Sequence, residues 1–253
     1  MLVLYEIDPD ARPFVFPPLT EAWGADTPAP GLLARGGDLS VERLKLAYAQ
    51  GIFPWFSDGE PVLWWSLDPR MVLYPEKFKF SRSLRKTLKC FLSGGDCEIR
   101  VDTDFAAVIG HCAAVRRKEQ DGTWISSAVV NAYTRLHRQN MAHSFETWVG
   151  GELVGGLYGV NMGGMFYGES MFSKRADASK LALCGLIAFS LQHGIELIDC
   201  QQETAHLKSL GACAIPRDQF VTEMERAQKN PVPLWQVGRL PDVCWEAFYE
   251  RWQ

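Results

Sequence analysis

The chain has 253 residues, 47% of them hydrophobic and 22% charged, with a formal net charge of −4. That is enough apolar material for one large or two unequal globular units, and the acidic balance excludes a protein that coats nucleic acid while leaving room for a local basic patch. No apolar run reaches the length of a membrane span and the first residues lack a signal-peptide pattern, so no membrane partner and a cytoplasmic location are expected. Seven cysteines without a CxxC pair read as reduced thiols, and five scattered histidines without ligand spacing predict no metal.

In chain order, residues 1–37 are rich in proline and glycine and predict little regular structure. Asp38 or Ser40 caps a helix over 40–50, with Val41, Leu44, Ala47 and Tyr48 at helical spacing and Gly51 as its stop. Two aromatic segments follow, at 52–56 and 63–66, separated by a turn. Most of these rings read as a small N-terminal core, although one or two at a boundary are suited to stacking on a nucleobase. Asp68-Pro69-Arg70 marks a boundary, and 71–74 reads as a strand. On the helix over 81–91, Arg82, Arg85, Lys86 and Lys89 share one face and Leu84, Leu88 and Phe91 the other. That basic face suits either phosphate binding or plain solvation. A helix from Asp104 carries Phe105, Val108, Ile109, Cys112 and Val115 as its stripe, and Arg116-Arg117-Lys118 at its end. Ser126 or Ser127 caps the next helix, with Val129, Val130, Tyr133, Leu136 and His137 inward.

The segment 155–202 organises the rest. A hairpin over 145–161 leads into two apolar strands around an Asn-Met-Gly-Gly turn, then a polar loop, a helix apolar on every side over 181–191, and a strand over 195–201. Asp177 or Ser179 is expected to cap that helix and Gly194 to end it. Strand alternation puts Asp199 and Gln201 on one face, where they must bind each other, the backbone or a ligand. Cys200, pointing away, reads as a buried thiol. Two further helices, at 218–228 and 242–252, complete an α+β chain.

The order of elements resembles the acyltransferase fold that binds acetyl coenzyme A. Its pyrophosphate loop would correspond to SKRADASK at 173–180, which has no glycine and points to a different acyl donor. The motifs LLARGGDLS (32–40), GIFPWFSDGEPVLWWSLDPR (51–70), GTWIS (122–126), GGLYGV (155–160), GESMFS (168–173), ASK (178–180), LIDCQ (197–201) and SLGA (209–212) closely resemble the leucyl/phenylalanyl-tRNA–protein transferase family, in one collinear order. The resemblance implies a small N-terminal domain (1–69) and a C-terminal acetyltransferase-like (GNAT-type) sheet-and-helix domain (70–253). It implies transfer of Leu, Phe or less often Met from leucyl-tRNA or phenylalanyl-tRNA to proteins with N-terminal Arg or Lys, marking them for degradation, with no cofactor; a monomer is expected.

By the same resemblance Asp199 and Gln201 lie at the reacting centre, Asp199 as acceptor or base for the incoming amine or as a positioner, and Gln201 orienting amine or ester. Glu169 sits near the acceptor, where its acid suits a cationic side chain, or else caps backbone. Trp55 and Trp124 match tryptophans near the terminal adenosine. Leu157, Phe166 and Ile198 are candidates for the donor side-chain pocket or for plain core. The face of Arg82, Arg85, Lys86 and Lys89 would meet phosphates of the tRNA acceptor stem. A coenzyme A-dependent N-acetyltransferase and a non-catalytic tRNA- or peptide-binding module are the alternatives.

Overall fold

Short polar side chains start the helices. Ser40, Ser81 and Ser126 each accept the backbone N–H three residues on, from Arg43, Leu84 and Val129, and Asp104 does the same for Ala107. The computed structural model describes residues 4–115 and 124–252. The basic run Arg116-Arg117-Lys118, with Gly122 and Thr123 of the GTWIS motif, lies outside the described residues.

The first part of the chain holds strands β1 (Tyr5–Ile7) and β2 (Leu32–Gly36), helix α1 (Val41–Ala49), and strands β3 (Phe53–Pro54) and β4 (Leu63–Trp65). The four strands form a small sheet in the order β1-β2-β4-β3. There follow β5 (Arg70–Leu73), α2 (Arg82–Leu92), β6 (Cys97–Val101), α3 (Phe105–Ala114), α4 (Ser127–Arg138), β7 (Ala142–Val149), β8 (Glu152–Met162), β9 (Met165–Ser173) and α5 (Ala178–His193). The chain ends with β10 (Leu197–Gln201), α6 (Ala205–Ser209), β11 (Cys213–Ile215), α7 (Arg217–Ala227), β12 (Gly238–Arg239) and α8 (Asp242–Arg251). The large sheet has the order β11-β5-β10-β9-β8-β7-β6-β12. Its recorded pairings are antiparallel except β9 with β10, which run parallel. The helices and sheets are those of an α+β protein, as expected.

Burial follows from the pattern of each element. Helix α5 is apolar all round and enclosed from Leu181 to Ser190, packing on β7, β8 and β9 and against α8. Helices α3 and α4 cover the opposite face of those strands. The aromatics of the small sheet, expected to form a core of their own, instead join one continuous apolar cluster with α3, α4, α7 and that face of the large sheet.

Glycines set two close approaches in the GGLYGV stretch. A Cβ on Gly155 would lie 2.5 Å from Ala178 Cβ at the start of α5, and one on Gly159 would lie 2.1 Å from the Tyr167 carbonyl oxygen. The cap of α5 departs from expectation. Asp177 holds the N-cap position with φ 62° but makes no side-chain cap, because its carboxylate binds Lys180 Nζ at 2.7 Å. The Ser179 N–H is taken by Ser173 Oγ at 3.2 Å. No disulfide joins cysteines among the described residues. Among the described residues no helix is long and apolar enough to cross a membrane, and no group of His, Cys, Asp and Glu is arranged to hold a metal ion.

Candidate active site

Strands β9 and β10 pair from Leu197–Met165 to Asp199–Tyr167, and the pairing ends there. Beyond it each strand carries an irregularity. The register of β9 against β8 shifts so that Glu169 is the extra residue, and that of β10 against β5 shifts at Cys200. The divergent ends open a cavity of about 230 Å³. Leu73, Leu157, Met171, Leu183, Leu186 and Ile198 supply its apolar lining, Phe53, Trp55 and Trp124 part of its wall, and Glu169, Gln201 and His206 its polar groups.

Glu169 is buried and receives three hydrogen bonds. The Tyr48 hydroxyl donates to Oε1 at 2.7 Å, the Tyr133 hydroxyl to Oε2 at 3.0 Å, and Gln201 Nε2 to Oε1 at 3.2 Å. The two tyrosine hydroxyls also contact each other. Burial pushes the Glu169 carboxyl up to about 7, against the opposing pull of the tyrosine hydrogen bonds. Burial likewise drives both tyrosine hydroxyls well above their ordinary range, so they remain donors. One side of the site thus comes from α1 and α4 and the other from β9 and β10.

Asp199 and Gln201 do not face the same way. The bulge at Cys200 and the left-handed backbone of Gln201, φ 60°, turn the carboxamide into the cavity beside Ile198. Asp199 points elsewhere and is not part of the lining. It is wholly buried, its Oδ1 accepting Arg70 Nε at 2.8 Å and its Oδ2 accepting Arg70 Nη2 at 2.6 Å. Its Oδ1 also accepts the Gln201 backbone N–H at 2.8 Å. Gln201 and Glu169 therefore face the cavity, with Asp199 behind them.

Trp55, Trp124, Leu157 and Ile198 all line the cavity, as does Glu169. Phe166 does not. It lies on the same sheet face as its register partner Ile198 but further along β9 from the divergent strand ends, buried with the Phe145 and Trp235 rings each 6.3 Å away. Arg82, Arg85, Lys86 and Lys89 are exposed on α2, whose Leu84, Leu88 and Phe91 are buried, and none of the four reaches the cavity. Burial raises the Cys200 thiol above its ordinary range, which disfavours the thiolate.

Sequence reasoning missed several residues of this site. Tyr48 and Tyr133 read as inward-facing core positions, and the only sign of a further role was a hydroxyl that needs a partner when buried. Leu183 and Leu186 carry no signal within the uniformly apolar α5, and Met171 stands in the GESMFS motif with nothing to set it apart. Arg70 read as part of a boundary, since its partner is 129 residues away.

The comparisons with known proteins agree with one another. The family model described as leucyl/phenylalanyl-tRNA protein transferase matches residues 72–225, and the model of that family's N-terminal domain matches residues 37–68. A leucyl/phenylalanyl-tRNA–protein transferase of Leptothrix cholodnii is 59% identical over 226 residues, covering 89% of this chain and 88% of that protein. One from Cupriavidus necator is 56% identical over 238 residues, covering 94% and 92%. Among solved structures, L-PGS from Bacillus licheniformis superposes with a TM-score of 0.40 at 16% identity, over 79% of this chain and 64% of that one, a likeness too slight to carry an argument. A family model spanning most of the chain, together with relatives of this identity along nearly its whole length, means that the chain belongs to the leucyl/phenylalanyl-tRNA protein transferase family.

Proposed function

We propose that the protein transfers Leu or Phe, and less often Met, from aminoacyl-tRNA to the N-terminal Arg or Lys of an acceptor protein, marking it for degradation. The observation that carries this reading is the joining of an apolar cavity to a buried carboxylate and a carboxamide, with two tryptophans in its wall. The cavity takes the donor's side chain against Leu157, Ile198, Met171, Leu183 and Leu186. An apolar pocket rejects polar side chains strongly and neighbouring apolar ones weakly, which suits a donor range of Leu, Phe and Met. Trp55 and Trp124 offer flat faces to the terminal adenosine. The exposed cations of α2 are suited to backbone phosphates of the acceptor stem.

The donor ester is already activated, so the reaction is an aminolysis. The lone pair of the neutral α-amine attacks the ester carbonyl carbon, a C–N bond forms and the carbonyl becomes an oxyanion. As the oxyanion collapses, the C–O bond to the ribose breaks, and the ribose oxygen leaves with the proton that the amine gives up. Gln201 spends its Nε2–H on Glu169, which leaves its carbonyl oxygen to accept from the amine and hold it in line. A carboxamide is no base, so its part is orientation. Glu169, ionised, attracts the cationic acceptor. Asp199, neutralised by Arg70, acts on the site from behind, as the positioner of the two roles the sequence left open. The antiparallel strands, enclosed helix and parallel β9–β10 pair support an acetyltransferase-like (GNAT-type) arrangement for 70–253, with 1–69 as a smaller N-terminal domain that supplies Tyr48 and Trp55. A single chain holds every group invoked, which supports a monomer.

The test is transfer of radiolabelled Leu from leucyl-tRNA to a model protein beginning with Arg. Transfer by the wild type, with Gln201→Ala reducing kcat by about 10²-fold while leucyl-tRNA still binds, is the expected result. No transfer from any apolar aminoacyl-tRNA would overturn the reading.

A further inference from the structure

Arg70 opens β5, and its guanidinium is wholly buried. The rings of Phe53 and Phe220 lie on it, each with its centroid 4.6 Å from Cζ. Nε and Nη2 bind the two oxygens of Asp199, and Nη1 has no hydrogen-bond partner among the described residues. Such a pair is a poor device for stability alone. Taking both charges out of water offsets most of their attraction, and apolar residues of the same volume serve as well or better. What the pair does supply is direction. The fork geometry fixes the Asp199 carboxylate in one plane. One of its oxygens then holds the backbone N–H of Gln201 at 2.8 Å, the residue whose φ is 60°. A non-glycine residue resists that conformation and keeps it only where its surroundings impose it. The same conformation aims the Gln201 carboxamide at Glu169 across the cavity.

We propose that Arg70 is a positioning residue for the transfer reaction: through Asp199 it holds Gln201 in its left-handed backbone conformation, and so sets the line along which the amine approaches the ester. This rests on the reading given under Proposed function. Arg70 touches neither donor nor acceptor. Its effect belongs to kcat, because a misdirected carboxamide weakens alignment without removing the apolar pocket or the tryptophans that bind the donor.

The experiment measures kcat and KM for leucyl-tRNA in Arg70→Lys, in Gln201→Ala and in the double variant, together with a crystal structure of Arg70→Lys. Lysine keeps the charge but has no fork. Arg70→Lys is expected to lower kcat about tenfold or more with KM within about twofold, since small misplacements have effects of that order. In the Gln201→Ala background the same change should alter kcat less than about twofold, because the group through which it acts is gone. The crystal structure should show Gln201 out of the left-handed region or its carboxamide withdrawn from Glu169. An equal fall in both backgrounds, or an unchanged Gln201 in the crystal, would make Arg70 a merely structural residue and overturn the proposal. Where Arg70→Lys fails to fold, the isosteric Asp199→Asn loosens the same clamp and is read on the same two scales. Absence of transfer by the wild type sinks the functional reading instead, and the conformation of Gln201 in the crystal then decides the positioning claim alone.

Discussion

Glu169 joins chemistry to stability within one carboxyl group. Burial holds it near 7 in the folded chain against an ordinary value of 4.5. The native state therefore binds this proton more tightly than the unfolded chain. The stabilisation that proton brings is fully present below about pH 4.5 and is lost as pH rises through about 7. Thermal melts of wild type and Glu169→Gln between pH 4.5 and 8 should show the variant with the flatter dependence, and parallel curves would mean that the carboxyl titrates elsewhere. Activity should run the opposite way. If the ionised form attracts the cationic acceptor, kcat/KM for an Arg-starting peptide rises through pH 7, and that limb is absent from Glu169→Gln. The groups that tune this carboxyl were only partly legible in the sequence. Glu169 and Gln201 stand in recognisable motifs, but a bulge of one residue decides which way Gln201 looks, and no alternation rule foresees it. Tyr48 and Tyr133 lie 121 and 36 residues from Glu169, and nothing local ties them to it.

At the scale of elements, period located the long helices and the strands β5, β7, β8 and β10 to within about three residues, because their apolar faces are continuous. By contrast β1 and β2, in the stretch expected to hold little regular structure, and the short β6, α6, β11 and β12 were not foreseen. Contacts between elements were less legible. The GGLYGV motif stood out by resemblance, whereas its physical reason is that α5 begins against β8 at Gly155 with no room for a side chain. Gly155→Ala should therefore push the first turn of α5 outward. A loss of roughly 1–3 kcal/mol in chemical denaturation is expected, the range for overpacking a close contact. A variant as stable as wild type would show that the Ala178 turn yields freely. The shift of Asp177 from cap to partner of Lys180 has a similar cause, since Ser173 reaches the open N–H of Ser179 first across the loop.

For the whole molecule, the composition allowed two unequal units, yet the apolar cluster passes from the small sheet into the large one without a break. Hydrogen bonds follow the same route. Tyr167 donates to the Tyr48 carbonyl at 2.7 Å, and Arg217 Nη1 to the Ser66 carbonyl at 2.9 Å. Calorimetry should accordingly record a single unfolding transition, with the measured and van't Hoff enthalpies equal. Two separated transitions would instead mean that the residues before Arg70 melt by themselves. Such continuity is invisible to a reading in chain order, because it arises between side chains more than a hundred positions apart.

The Arg70–Asp199 pair spans 129 residues of chain, and it bears on the seconds in which the protein is made. As the polypeptide leaves the ribosome, β5 emerges with a cation destined for the interior and no anion to meet it until β10 follows. Until then the guanidinium must stay in water, and the strand that carries it must stay out of the sheet. The site consequently comes into being late and all at once, and a chain broken off before residue 199 is left with an arginine that it can neither bury nor use.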